Sequence, residues 1–192
     1  DHVTQFPEES MKNSKVDFVI TGGDYDFMLL SIVEHLDKGK KLEPGIWYRK
    51  EDKIQNSGKF NLNHDLNELP TIDRNLTMWK LYAENGNYKY LPGTYTMAGR
   101  DCWWGKCKFC SWPSLYPKFR TRRPELLINE IKELVERYKV KEIMDDTGSF
   151  PVGEWLKKFC TLMVKSGLNK KVSISCNMRF GTLKPEDYKM MR

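Results

Sequence analysis

Three observations predict an α/β fold for this chain. From Thr94 onward, short β-branched apolar runs alternate with longer stretches whose apolar residues recur at helical spacing. Two of those helical stretches carry a proline near their start, where the missing N–H is no loss. Near the N-terminus, a separate apolar run ends at a Gly-Gly pair and feeds a helical pattern, the rhythm of a βα unit.

The first element is "KVDFVIT", Lys15 to Thr21, a buried strand that ends at Gly22 and Gly23. Leu29, Ile32, Val33 and Leu36 then mark a helix, and Gly39 caps its C-terminus. "GIWYRK" and "KIQNS" flank Glu51-Asp52 as an exposed hairpin or arm. From Asn61 to Tyr90 no period is sustained and "LNELPTIDRN" carries a proline, so a wrapping linker is expected. "TYTMAG" opens the next part as a strand. "RPELLINEIKELVERY" follows with Leu127, Ile131, Leu134, Val135 and Tyr138 on one face and Pro124 in the first turn. "KEIM" is a second strand, Trp155 to Met163 a second amphipathic helix, "VSISC" a third strand and "KPEDYKMM" a third helix. Such βαβαβα alternation implies a parallel sheet with helices outside, whose chemistry gathers at the carboxyl ends of its strands. The polar clusters Cys102 to Cys110, Asp145 to Thr147 and Cys176 to Arg179 all stand where strands end. The expected organisation is 1–45, 46–93 as hairpin and linker, and 94–192. Three βα units are too few to close a barrel, so the chain is expected to be part of a longer protein.

Composition narrows the class. Hydrophobic residues make up 40% of the chain, enough for a core, and no run of about 18 apolar residues offers a membrane span. The opening residues lack the basic-then-apolar build of a secretory signal, and the expected location is cytoplasmic. The formal charge of +6 is read as a solvated lysine-rich surface. "KFRTRR", Lys118 to Arg123, is the sharpest basic cluster, but no second patch or stacking platform is evident beside it, so nucleic acid is not expected as a partner.

Cys102, Cys107 and Cys110 form C-x4-C-x2-C, three of the five cysteines in the chain. Thiolates are the soft ligands of zinc, copper(I) and iron-sulfur clusters. Three on one loop can each hold a different iron of a cube and leave the fourth iron open. Arg100, Lys106 and Lys108 would favour thiolates, and Trp103, Trp104, Phe109 and Trp112 would keep water from a cluster. The alternative is a structural zinc, which wants four ligands in two pairs. Cys176 or His64 would have to supply the fourth, and neither has a partner at ligand spacing.

The cysteine loop, between a strand and a helix and with an aromatic residue before its last cysteine, resembles the cluster loop of radical S-adenosylmethionine (radical SAM) enzymes, whose usual spacing is C-x3-C-x2-C. The longer context "VDFVITGGDYDF", "PGIWYRK", "LNELPTIDR", "CKFCS", "RTRRPELLINEI", "VKEIMDDT" and "SCNMRFGTLKPEDYKMM" is similar, in order, to the cobalamin-binding radical SAM family that includes the anaerobic magnesium-protoporphyrin ester cyclase. The resemblance implies the end of a Rossmann-like cobalamin-binding domain followed by the first half of a radical SAM partial barrel. It implies a 4Fe-4S cluster on Cys102, Cys107 and Cys110, S-adenosylmethionine chelated to the fourth iron, and a 5'-deoxyadenosyl radical after reductive cleavage.

By the same resemblance Phe109 would lie near the adenine, or serve as a hydrophobic plug. Asp145, Asp146 and Thr147 would meet the methionine ammonium, or cap a helix. Arg179 would bind the cofactor carboxylate or ribose. Gly22 and Gly23 would let backbone approach cobalamin; His2 matches a late-strand histidine of the family and is not assignable as the cobalt ligand. An external electron donor such as ferredoxin or flavodoxin would be needed. Methylation of an unactivated carbon, transfer RNA methylthiolation and a non-catalytic zinc-binding module stay open as functions.

Overall fold

In the computed structural model, which describes residues 2–84 and 87–192, the elements run α1 (His2–Gln5), α2 (Pro7–Lys12), β1 (Phe18–Ile20), α3 (Tyr25–Lys38), β2 (Ile46–Lys50), β3 (Lys53–Asn56), α4 (Lys80–Ala83), β4 (Gly93–Thr96), β5 (Gly99–Arg100), α5 (Trp112–Leu115), β6 (Arg120–Thr121), α6 (Pro124–Glu136), β7 (Glu142–Asp145), α7 (Glu154–Lys165), β8 (Ser173–Cys176) and α8 (Pro185–Met191). They form two units. The first runs to His64 and takes in Gly105–Lys118; the second comprises Asp65–Trp104 and Phe119–Arg192. The span 46–93 is thus divided at His64. Among the described residues, no helix is long and apolar enough to cross a membrane.

In the first unit β1 pairs antiparallel with β2, and β2 with β3, so the expected βα strand has the following hairpin as its neighbour. Glu51 and Asp52 turn that hairpin with positive φ values of 50° and 61°, a conformation Asp tolerates better than most residues. Gly39 ends α3 in the left-handed region (φ 64°), its N–H donating to the His35 carbonyl at 2.9 Å. The buried stripe of α3 is Met28, Ser31 and Ile32, and it packs with Leu42 and Ile46. Leu29, Val33 and Leu36, expected beside Ile32 on the inner face, are exposed. The apolar arc of α3 is wider than its contact with this small sheet.

The second unit is the parallel α/β layer. β4, β7 and β8 lie in that order, with Thr94 opposite Ile143 and Ile143 opposite Ile174. Leu127, Ile131 and Leu134 from α6 and Leu156, Phe159 and Met163 from α7 bury their side chains around Ile143, as the helical spacing predicts. Each such aliphatic chain is worth about 1.5–3 kcal/mol on leaving water. Phe150 sits beneath, its ring edge-on to Trp155 and Phe159 at 5.4 and 5.6 Å.

A buried ion triad ties in the irregular segment. Glu130 of α6 receives Arg74 Nη2 at 3.2 Å and Arg122 Nη1 at 2.6 Å, all three side chains being buried. Arg74 also donates to Thr94 Oγ1 and to the Tyr95 carbonyl of β4. "KFRTRR" is partly drawn into the fold: Arg120 and Thr121 form β6 and Arg122 is in the triad, while Arg123, the residue before α6, and Lys118 are exposed.

Candidate functional site

The feet of the cysteine loop are clasped. β5 pairs antiparallel with β6, Gly99 opposite Thr121 and Arg100 opposite Arg120. Only glycine fits at position 99, because a Cβ there would stand 2.4 Å from the Arg120 carbonyl oxygen. The clasp was not visible in the sequence, since two-residue strands have no period; Gly99 was its one signal. From it the chain enters the loop through Asp101, whose φ is +80°.

Behind the clasp stands the end of β7. The Asp145 carboxylate is buried and accepts the N–H of Ala98 at 2.7 Å and of Thr147 at 3.1 Å, with the Thr96 hydroxyl at 3.3 Å. Thr147 is buried as well, and its hydroxyl oxygen accepts the Gly99 N–H at 3.0 Å. Burial pushes the Asp145 carboxyl above the ordinary carboxylate range, against the pull of those donors. These two residues hold up the strand leading to Cys102. Asp146 is exposed, its N–H bound to the Thr96 carbonyl, and its carboxylate is the one in this trio open to a ligand. None of the three caps α7, whose N-cap is Gly153.

Cys102, Cys107 and Cys110 are free thiols. Cys107 is exposed and the other two are partly so. Cys102 belongs to the second unit, Cys107 and Cys110 to the first, where the Cys110 N–H bonds the Cys107 carbonyl at 3.1 Å. Just after Cys102, the Trp103 indole N–H donates to the Phe150 carbonyl at 3.2 Å. The Trp104 ring lies under the Arg179 guanidinium, whose central carbon is 3.5 Å from the ring centroid. Arg179 therefore reaches the cysteine loop, but through an aromatic face. Phe109 is 92% exposed, so it plugs no core.

Gly22 and Gly23 face aromatic rings. A Cβ on Gly22 would stand 2.6 Å from Phe60, and one on Gly23 2.1 Å from Tyr116. In this structure the close neighbours of the turn are the Phe60 and Tyr116 rings. Beside the turn lies a cluster the sequence did not disclose. His64 Nδ1 is 2.9 Å from Asp24 Oδ2 and Nε2 is 2.9 Å from Glu43 Oε2, with the ring stacked on Phe27 at 4.3 Å. Partners so distant in sequence leave no spacing signal.

The donor set decides what metal group the residues suit. Both spare zinc ligands are engaged elsewhere: His64 is held between carboxylates, and Cys176 lines a cavity of about 260 Å³ with Phe159, Cys160 and Met190. Burial, with Asp145 and Cys160 nearby, pushes the Cys176 thiol up to about 11. Among the described residues no three His, Cys, Asp or Glu side chains gather tightly enough to hold one metal ion. A cube takes one thiolate per iron, so its ligands need not converge on a point as those of zinc must. Three accessible free thiols fit a cluster in donor chemistry.

No family model matches the chain. It is 28% identical over 151 residues to the uncharacterized methyltransferase PH0819 of Pyrococcus horikoshii, an alignment covering 76% of this chain and 32% of that protein. Among solved structures it is similar to the apo form of the cobalamin-dependent S-adenosylmethionine radical enzyme OxsB, with a TM-score of 0.61 and 16% identity over 88% of this chain and 24% of that one. The chain spans about a third of the curated relative and a quarter of the solved one, and its mixed α/β fold with a parallel sheet is the fold it shares with OxsB.

Proposed function

We propose that this chain carries the cluster loop of a radical SAM enzyme, cobalamin-dependent in its complete form, that transfers a methyl group to an organic substrate. The observation that carries this is the set of three free thiols on a loop clasped by β5 and β6 at the carboxyl end of a parallel α/β layer. The radical chemistry is supported by the likeness to OxsB, and methyl transfer by the name of the Pyrococcus relative. When bound, a 4Fe-4S cluster would supply the electron that cleaves S-adenosylmethionine. Cys102, Cys107 and Cys110 would hold it. Asp146 would accept the ammonium of S-adenosylmethionine in a charge-assisted hydrogen bond, and Phe109 would offer its open ring to the adenine. An external ferredoxin or flavodoxin would deliver the electron. Cobalamin is proposed from the likeness to OxsB.

Transfer RNA methylthiolation is the weaker reading, because two of the three arginines of "KFRTRR", Arg120 and Arg122, are drawn into β6 and the Glu130 triad. The complete protein, purified without oxygen, is expected to hold roughly four irons and four sulfides at this loop. It should also release 5'-deoxyadenosine with a reductant. Cys102→Ala, Cys107→Ala and Cys110→Ala should each abolish that release, while Cys160→Ala and Cys176→Ala should leave it intact. Colourless protein with one zinc, or full activity in any of the three loop variants, would overturn the reading.

A further inference from the structure

We propose that Trp103 and Trp104 are the positioning residues of Cys102, and that Arg179 is the latch that holds Trp104 in place. This rests on the reading of the loop as a cluster site and adds residues to it. The four residues between Cys102 and Cys107 are Trp103, Trp104, Gly105 and Lys106. A spacer that merely spans a gap calls for small or polar residues. Here its first two are the largest side chains available, and both are tied down.

Trp103 donates its indole N–H to the Phe150 carbonyl, in the segment after β7. Trp104 is covered by Arg179, in the segment after β8. The two indoles stand edge to face, centroids 6.3 Å apart at 82°, so displacing one disturbs the other. The residues after Cys102 are thereby fixed to the ends of two successive parallel strands, while the clasp fixes the residues before it. Cys102 is held from both sides. A guanidinium suits the latch, since it lies flat on an indole and keeps its charge in water.

Arg179 is exposed, so replacing it leaves the core alone. Hydrogen exchange of the whole chain, read by mass spectrometry over residues 102–106, tests the latch. Arg179→Ala and Trp104→Ala should speed exchange there by roughly threefold to tenfold, with α6 and α7 unchanged. Arg179→Lys, which keeps a cation near the ring but loses the flat stack, should restore only part of the protection, and Arg179→Gln should restore none. In anaerobically reconstituted protein, Arg179→Ala should also shorten the half-life of iron loss to a chelator by a similar factor.

Unchanged exchange at 102–106 in Arg179→Ala, or equal exchange in the Lys and Gln variants, overturns the latch even if Trp104→Ala fails to fold. Failure of the wild-type protein to take up iron would instead defeat the proposed function. The exchange data would still decide the latch.

Discussion

Asp145, expected at the methionine ammonium, is a buried carboxylate bonded to backbone. Its carboxylate serves the buried N–H groups of Ala98 and Thr147, and burial raises its proton affinity above that of an ordinary carboxyl. The folded state then holds this proton more tightly than the unfolded chain does. Between the ordinary value of 3.8 and the raised one, the native protein binds more protons, so stability falls as pH climbs through that window and levels off above it. Asp145→Asn removes this titration. The urea midpoint of wild type relative to Asp145→Asn is therefore expected to decline as pH rises from about 4, and a constant difference would refute the assignment. Asp145→Ala, which leaves both N–H groups without their acceptor, should cost about 2 kcal/mol at pH 7 in the same unfolding experiment.

At the scale of elements, the Glu130 triad joins α6, β4 and the turn at Arg74–Thr77. Two guanidiniums share one carboxylate, so the group carries net positive charge in a buried setting. Glu130→Gln would leave both cations uncompensated, and a loss of about 3–5 kcal/mol is expected in denaturant titration. A loss below about 1 kcal/mol would mean that water reaches the triad. The strands and helices from Thr94 onward were legible in the sequence because burial on one face writes a period into it, as Leu127, Ile131 and Leu134 show. Leu29, Val33 and Leu36 carry the same period yet face outward, since periodicity records an apolar arc and not what covers it. The triad, the clasp and the His64 cluster were illegible for another reason. Each joins residues far apart in the chain through a few polar atoms, and that leaves no repeating pattern. At the candidate site the cysteines and Phe109 stand out by residue type and spacing, whereas the separate environments of Asp145 and Asp146 depended on which carboxylate the backbone N–H groups claimed.

At the scale of the whole molecule, the first unit is discontinuous, because Gly105–Lys118 returns to it after a long excursion. Tyr116 fits against Gly23 so closely that no other residue could replace that glycine without moving the ring. A chain truncated to begin at Asp65 should keep the α6 and α7 core, yet lose hydrogen-exchange protection across α5. Wild-type protection at 112–116 in that truncation would show that the segment stands without its partner. The clasp has a further consequence, best put in the language of polymer rings. Once Gly99 and Arg100 are joined to Thr121 and Arg120, residues 101–119 form a closed ring, and the entropy of closing it grows only with the logarithm of its length. One residue more in about twenty changes that cost by about 0.05 kcal/mol. In chain entropy alone, the fourth spacer residue between Cys102 and Cys107 is thus almost silent, and ring closure by itself sets no bar to a spacing one residue longer.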